Sequence, residues 1–185
     1  MKKRNLVGIC VMVVLILLAI PLGVHHSLSA LREEAELTYY YDKTGYAIYE
    51  GIETREGAAN NLITVARRYK EANPQLLEKI DDLEYAVRLS QNSYDDFAEE
   101  AEANLLMGQA AQALYEELKN TELSQEDAKY PDELIAQMES EQDKIQRSSY
   151  NEDAREFNAR LEKFPVNFLR YVADVKPLAT FDENA

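Results

Sequence analysis

Nineteen consecutive residues, Leu6 to Val24, carry no charge; Lys2, Lys3 and Arg4 precede them, and His25 and His26 come directly after. As a helix rising ~1.5 Å per residue, the run reaches roughly 28 Å, close to the ~30 Å hydrocarbon thickness of a bilayer. The sequence therefore predicts a transmembrane anchor over residues 6–24. Residues 1–5 form a basic N-terminus that stays in the cytoplasm, because positively charged flanks are retained inside. The body then lies outside, held to the cytoplasmic (inner) membrane by one pass, since no second apolar run of this length occurs. Ser27-Leu28-Ser29 also suits a signal peptidase, so a secreted protein with its leader cleaved is the competing reading.

The body beyond the anchor must fold in water. The formal charge is −14 and the three N-terminal basic residues are positive, which leaves −17 on the rest. Such a body repels phosphate backbones, which argues against nucleic acid as a partner and against the body lying flat on anionic lipid, so the bilayer is expected to be engaged through the N-terminal helix. Cys10 is the single cysteine, so no disulfide can form within the chain. Six glycines, five prolines and no low-complexity tract suit a helical domain.

Apolar residues recur with helical periodicity along most of that domain. From Leu28 to about Ala72 a loose stripe (Leu37, Tyr41, Ile48, Ile52) and a tight one (Ala58, Leu62, Val65, Tyr69) predict one long helix, bent where Gly45, Gly51 and Gly57 weaken it by ~1 kcal/mol each. The tyrosines at 39, 40, 41, 46 and 49 read as helix-packing residues, although three in a row cannot all face inward. Asn73-Pro74 is a start signal, and Leu76, Ile80, Leu83 and Val87 mark a second helix. Ser93 and Asp96 are spaced like a capping box ahead of a third, through Phe97, Ala101, Leu105, Ala111 and Tyr115, and the second and third could be continuous. A polar connection over 119–130 precedes a fourth helix from about Asp132 to Phe164, its upstream seam interrupted by Gln142 and Ser149. Asn167 to Ala185 has apolar surface for a docked turn or two, with residues 182–185 frayed.

The clearest seam lies in that fourth helix: Tyr150, Ala154, Phe157, Leu161 and Phe164, in steps of four, three, four and three. Asn151 and Asn158 ride one edge of it, seven residues apart. Pro165 ends the pattern, because proline pushes its predecessor out of helical geometry and donates no backbone hydrogen bond. Helices with one apolar stripe and short connections pack as antiparallel neighbours. The expected fold is all-α: a transmembrane helix followed by an up-and-down bundle of three to four long helices over 28–172, with 173–185 as a C-terminal tail.

The chemistry-bearing residues are few. The two histidines sit side by side at the membrane edge, and a bundle metal site needs Glu-x-x-His pairs on facing helices. The pairs Asp81-Asp82, Asp95-Asp96 and Glu99-Glu100 lack a calcium loop around them and read as solvated charge. No glycine-rich phosphate loop is present. No catalytic residue, metal or cofactor is expected, and the chain is not read as an enzyme.

The pairs Tyr150-Asn151, Phe157-Asn158 and Phe164-Pro165 resemble the C-terminal block of the LemA family. Arg55, Asn61, Leu62, Ile63, Val65 and Tyr69 are similar to a second family segment, in which Thr54, Gly57 and Asn60 depart from the usual arginine, aspartate and proline. Tyr115-Glu116-Glu117-Leu118-Lys119 resembles a third, without its proline. The resemblance implies an anchored bacterial helical bundle with no established catalytic activity; some members are associated with building specialised membrane compartments. The residues singled out are Asn61, Tyr150, Asn151, Phe157, Asn158, Phe164 and Pro165. The asparagines are expected on helix seams, where two on adjacent helices bond each other and set register, or else form a polar patch for another envelope component. Asn158→Leu is then expected to leave a folded protein of equal or higher melting temperature. The leading functional expectation is an interaction or scaffold module with an envelope protein as partner and homo-oligomerisation open; the alternative is an extracytoplasmic sensor or accessory subunit signalling through a membrane partner.

Overall fold

The computed structural model describes residues 3–43, 45–94 and 96–182. The expectations for Lys2 and Asp95, and for fraying at 183–185, lie outside them. The described residues form seven helices: α1 (Lys3–Tyr40), α2 (Ile48–Arg67), α3 (Gln75–Asn92), α4 (Phe97–Lys119), α5 (Tyr130–Gln146), α6 (Ser149–Leu161) and α7 (Val166–Val172). The fold is all-α with one apolar N-terminal helix, as the periodicity implied.

Three boundaries differ from the sequence reading. The long helix expected over 28–72 is two, broken at 41–47, where Gly45 takes φ +83°, a left-handed conformation open to glycine. Gly51 and Gly57 lie inside α2 without breaking it. The helix expected from Asp132 to Phe164 is also two: Ser148 is extended, with φ −64° and ψ 151°, and divides α5 from α6. The third difference lies ahead of α4, where Asp96 is the cap, accepting the N–H groups of Ala98 and Glu99, and Ser93 instead donates to the Leu89 carbonyl. Thus α3 and α4 are separate. Asn73 Oδ1 accepts the Gln75 N–H at 3.1 Å at the start of α3, where Pro74 occupies the cap position rather than the first helical one.

Helices α2, α3, α4 and α5 pack into a bundle around Ala59, Leu62, Leu76, Leu83, Met107 and Leu114. Here α4 faces inward through Ala103, Met107, Ala110, Ala111 and Leu114, and Leu105 points to solvent. Of the expected stripe, Ala111 is core and Phe97, Ala101 and Tyr115 pack against the two cores, so only Leu105 was misplaced. A second core joins the C-terminal half of α1 to α6 and the start of α2: Leu28, Ala35, Tyr39, Ile48, Ile52, Tyr150, Phe157 and Leu161. Leu37 and Tyr41, expected on the buried stripe, are exposed. Of the tyrosine run, Tyr39 is core, Tyr40 stacks on Tyr39, Phe97 and Tyr49 from the rim, and Tyr41 faces water.

Candidate functional site

Between the two cores lies a layer of buried polar side chains, contributed at one level by α2, α4 and α5. Arg55 donates from Nη1 to the side-chain oxygens of Asn104 and Gln142, and Asn104 Nδ2 donates to Gln142 Oε1 at 2.9 Å. Gly108 makes room for the guanidinium: a Cβ there would lie 2.8 Å from Arg55 Nη2. Next to this triad, Glu56 accepts hydrogen bonds from Ser90 Oγ and Gln91 Nε2, and the Tyr39 hydroxyl donates to Glu100 Oε1 at 2.5 Å. Loss of hydration pushes the Glu100 carboxyl up to about 7; the Tyr39 bond acts against this and the nearby Glu56 charge adds to it. Burial raises Glu56 as well, against its two hydrogen bonds. Gln142, which interrupts the apolar seam in sequence, is the visible trace of this layer. Glu56 and Asn104 were not singled out, and Glu100 was read with Glu99 as solvated charge, since a polar residue shows in sequence no sign of the distant partner that buries it. A groove of about 900 Å³ opens beside the layer, with Arg55, Asn104, Gly108, Met138, Gln142 and Phe181 in its wall.

The C-terminal motif residues build the second part of the site. On α6, Tyr150, Asn151, Ala154, Phe157 and Leu161 are buried. Residues 173–182 fold back over them, with Val175, Leu178 and Phe181 inserted into the second core. A segment without helix or sheet must find partners for its backbone polar groups, and α6 supplies them. Asn158 bonds both sides of Leu178, Nδ2 donating to its carbonyl and Oδ1 accepting its N–H, each at 2.8 Å. Asn151 Oδ1 accepts the Phe181 N–H at 2.8 Å while Nδ2 donates to the Ile145 carbonyl at 2.8 Å, and the Tyr150 hydroxyl donates to the Ala179 carbonyl at 2.9 Å. Arg32 of α1 reaches the Lys176 carbonyl, and Arg155 pairs with Asp182 at 2.6 Å.

The seven-residue interval between the asparagines now has a physical reason. Seven helical residues advance ~10.5 Å, and three residues of chain cover ~10 Å only when nearly extended. Asn158 and Asn151 therefore meet Leu178 and Phe181 in antiparallel order. Val175, Leu178 and Phe181, in steps of three, were the sequence signal for this strap.

Two expectations for these residues fail. Asn61 is exposed on α2 and meets neither α6 asparagine. Asn151 and Asn158 bond backbone groups of the strap, and Asn151 also the Ile145 carbonyl, rather than an amide on another helix. Phe164 does not extend the seam; it is 87% exposed, since α6 ends at Leu161 and the last step of the pattern falls in a turn. Pro165 follows it and precedes α7. The acidic pairs do not converge: Asp81, Asp82 and Glu99 face solvent, and Glu100 faces the core.

No curated protein and no solved structure matches the chain. The LemA family model matches residues 47–185, from the residue before α2 through the polar layer, the α6 asparagines and the strap they hold, and the chain belongs to the LemA family.

Proposed function

We propose that the protein is a single-pass component of the bacterial cell envelope, with its N-terminus in the cytoplasm and an extracytoplasmic bundle that serves as a non-catalytic interaction or scaffold module. The observation that carries this reading is the continuity of α1. Its N-terminal part is long and apolar enough to cross a membrane, and the same helix, beyond Val24, supplies Leu28, Ala35 and Tyr39 to the second core. Anchor and bundle share one helix, so the bundle is held at a set height above the bilayer rather than tethered by a flexible linker. That arrangement suits a platform for other envelope proteins. The buried titratable groups also fit a structural role, because Glu56, Glu100 and Tyr39 are engaged inside the bundle by Ser90, Gln91 and one another.

The test is crosslinking in intact cells with a membrane-impermeant, amine-reactive reagent, using exposed lysines such as Lys70 and Lys119, followed by mass spectrometry. Reproducible capture of the same envelope protein is the expected result. Absence of any labelling, with the protein shown to be present, would mean that the bundle faces the cytoplasm.

A further inference from the structure

Helix α6 runs antiparallel to α1, so the chain travels back toward the anchor and turns there. Tyr150 meets Tyr39 at the far end, Leu161 joins the cluster that holds Leu28, and Val166 and Val24, the last residue of the uncharged run, both pack against that cluster. Helix α7 lies across this end of the molecule. His25 Nδ1 donates to the Ala173 carbonyl at 2.7 Å, which ties the end of α7 to α1 one residue past the apolar run. The position of α7 along the membrane normal is thereby set: it sits where the anchor leaves the hydrocarbon.

The face that α7 turns away from the protein is apolar. Phe168, Tyr171 and Val172, at i, i+3 and i+4, form one stripe and are 69%, 73% and 53% exposed, and Phe164 stands just ahead of them. Large aromatics grouped this way on a soluble surface mark a contact. The local charge singles out the occupant. Residues 156–176 contain Lys163, Arg170 and Lys176 against Glu162 and Asp174, with Arg160 paired to Glu156 at 2.7 Å, a small basic excess in a chain of net charge −14. Arg170 also lies over the Tyr171 ring, 4.8 Å from its centroid. Aromatic rings with basic residues beside them are what the headgroup zone of a bilayer accommodates, the rings in the acyl boundary and the cations at the phosphates.

We propose that the turn at Phe164 and the outer face of α7 form a second membrane contact, an interfacial foot that inserts Phe164, Phe168 and Tyr171 into the outer headgroup region of the bilayer the anchor crosses. The inference rests on the membrane-anchored reading of α1. Two contacts at different points around the anchor suppress tilting of the bundle about α1, which a single span leaves free.

The chain contains no tryptophan, so single substitutions create lone fluorescent reporters. Phe168→Trp, Tyr171→Trp, Leu15→Trp within the anchor and Tyr85→Trp on α3 are each made in the full chain. Each is reconstituted into vesicles of phosphatidylglycerol and phosphatidylcholine, with and without bromine on the phosphatidylcholine acyl chains. The expected result is strong quenching of Leu15→Trp, none of Tyr85→Trp, and a roughly twofold loss for Phe168→Trp and Tyr171→Trp, as for an apolar face buried ~5–10 Å into the boundary. Quenching of Leu15→Trp with none at either α7 reporter overturns the foot and leaves the anchor standing. The same holds if the α7 reporters are shielded from aqueous iodide yet untouched by bromolipid, which would assign the face to a protein partner or a second copy. No quenching of Leu15→Trp overturns the anchor and the foot with it. Quenching of Tyr85→Trp equal to that of Phe168→Trp overturns the foot as a specific contact.

Discussion

Asn151 and Asn158 hold backbone rather than side chains, and that changes what their replacement does. Asn158→Leu removes both partners of Leu178 and supplies none, so the revised expectation is a loss of ~1–3 kcal/mol, contrary to the neutral or stabilising outcome expected of an amide on a helix seam. Asn61→Ala, on the exposed face of α2, should stay within ~0.5 kcal/mol of wild type. Urea unfolding of the two variants side by side checks the contrast, and equal effects would refute the strap. Glu100 makes a prediction of opposite character. Its carboxyl is held near 7 in the fold and at about 4.5 in the unfolded chain, so between these values the unfolded chain has lost a proton that the folded one keeps. The contribution of Glu100 to stability is therefore greatest below about pH 4.5, falls as pH rises through the window, and levels above about 7. The shift corresponds to ~3 kcal/mol at most. Glu56, raised by burial too, slopes the same way. Glu100→Gln should flatten most of this slope and make the protein more stable than wild type above neutrality; urea midpoints taken on both sides of the window decide it.

At the scale of elements, the strap is the part whose removal should cost most for its length. Ending the chain at Val172 takes Val175, Leu178 and Phe181 out of the second core, at ~1.5–3 kcal/mol each, and leaves Asn151 without its Phe181 partner. The expected loss is roughly 5 kcal/mol or more, read as a collapse of the urea midpoint by circular dichroism. An unchanged midpoint would show that residues 173–182 do not pack. The α1–α2 turn offers a milder test. At Gly45 a Cβ meets no neighbour, so the ~1–2 kcal/mol expected for Gly45→Ala comes from the left-handed backbone alone. That turn lets Tyr39 and Ile48 enter the same core from two helices.

At the scale of the molecule, the family match begins at residue 47, yet the fold it describes is incomplete without part of α1. Deleting residues 1–26 should yield a water-soluble bundle, because Leu28, Ala35 and Tyr39 remain. Deleting 1–41 removes all three, and the loss of the buried Tyr39 ring alone is worth ~3–5 kcal/mol; the two truncations compared by thermal melting test whether α1 belongs to the core. Periodicity determined the fold class, the apolar N-terminal helix and the cores of α2 and α3, because each is written in neighbouring residues through the 3.6-residue repeat and the length of an apolar run. The α6 seam from Tyr150 to Leu161 was legible for the same reason. The polar layer and the strap were not. Arg55, Asn104 and Gln142 are 38 to 87 residues apart in sequence, and the strap groups that Asn151 and Asn158 hold are backbone 20 to 30 residues away. A side-chain amide looks the same in sequence whether it faces water, as Asn61 does, or a returning segment of chain. Only the tertiary fold decides which, because burial and hydrogen-bond partners depend on which distant segments arrive.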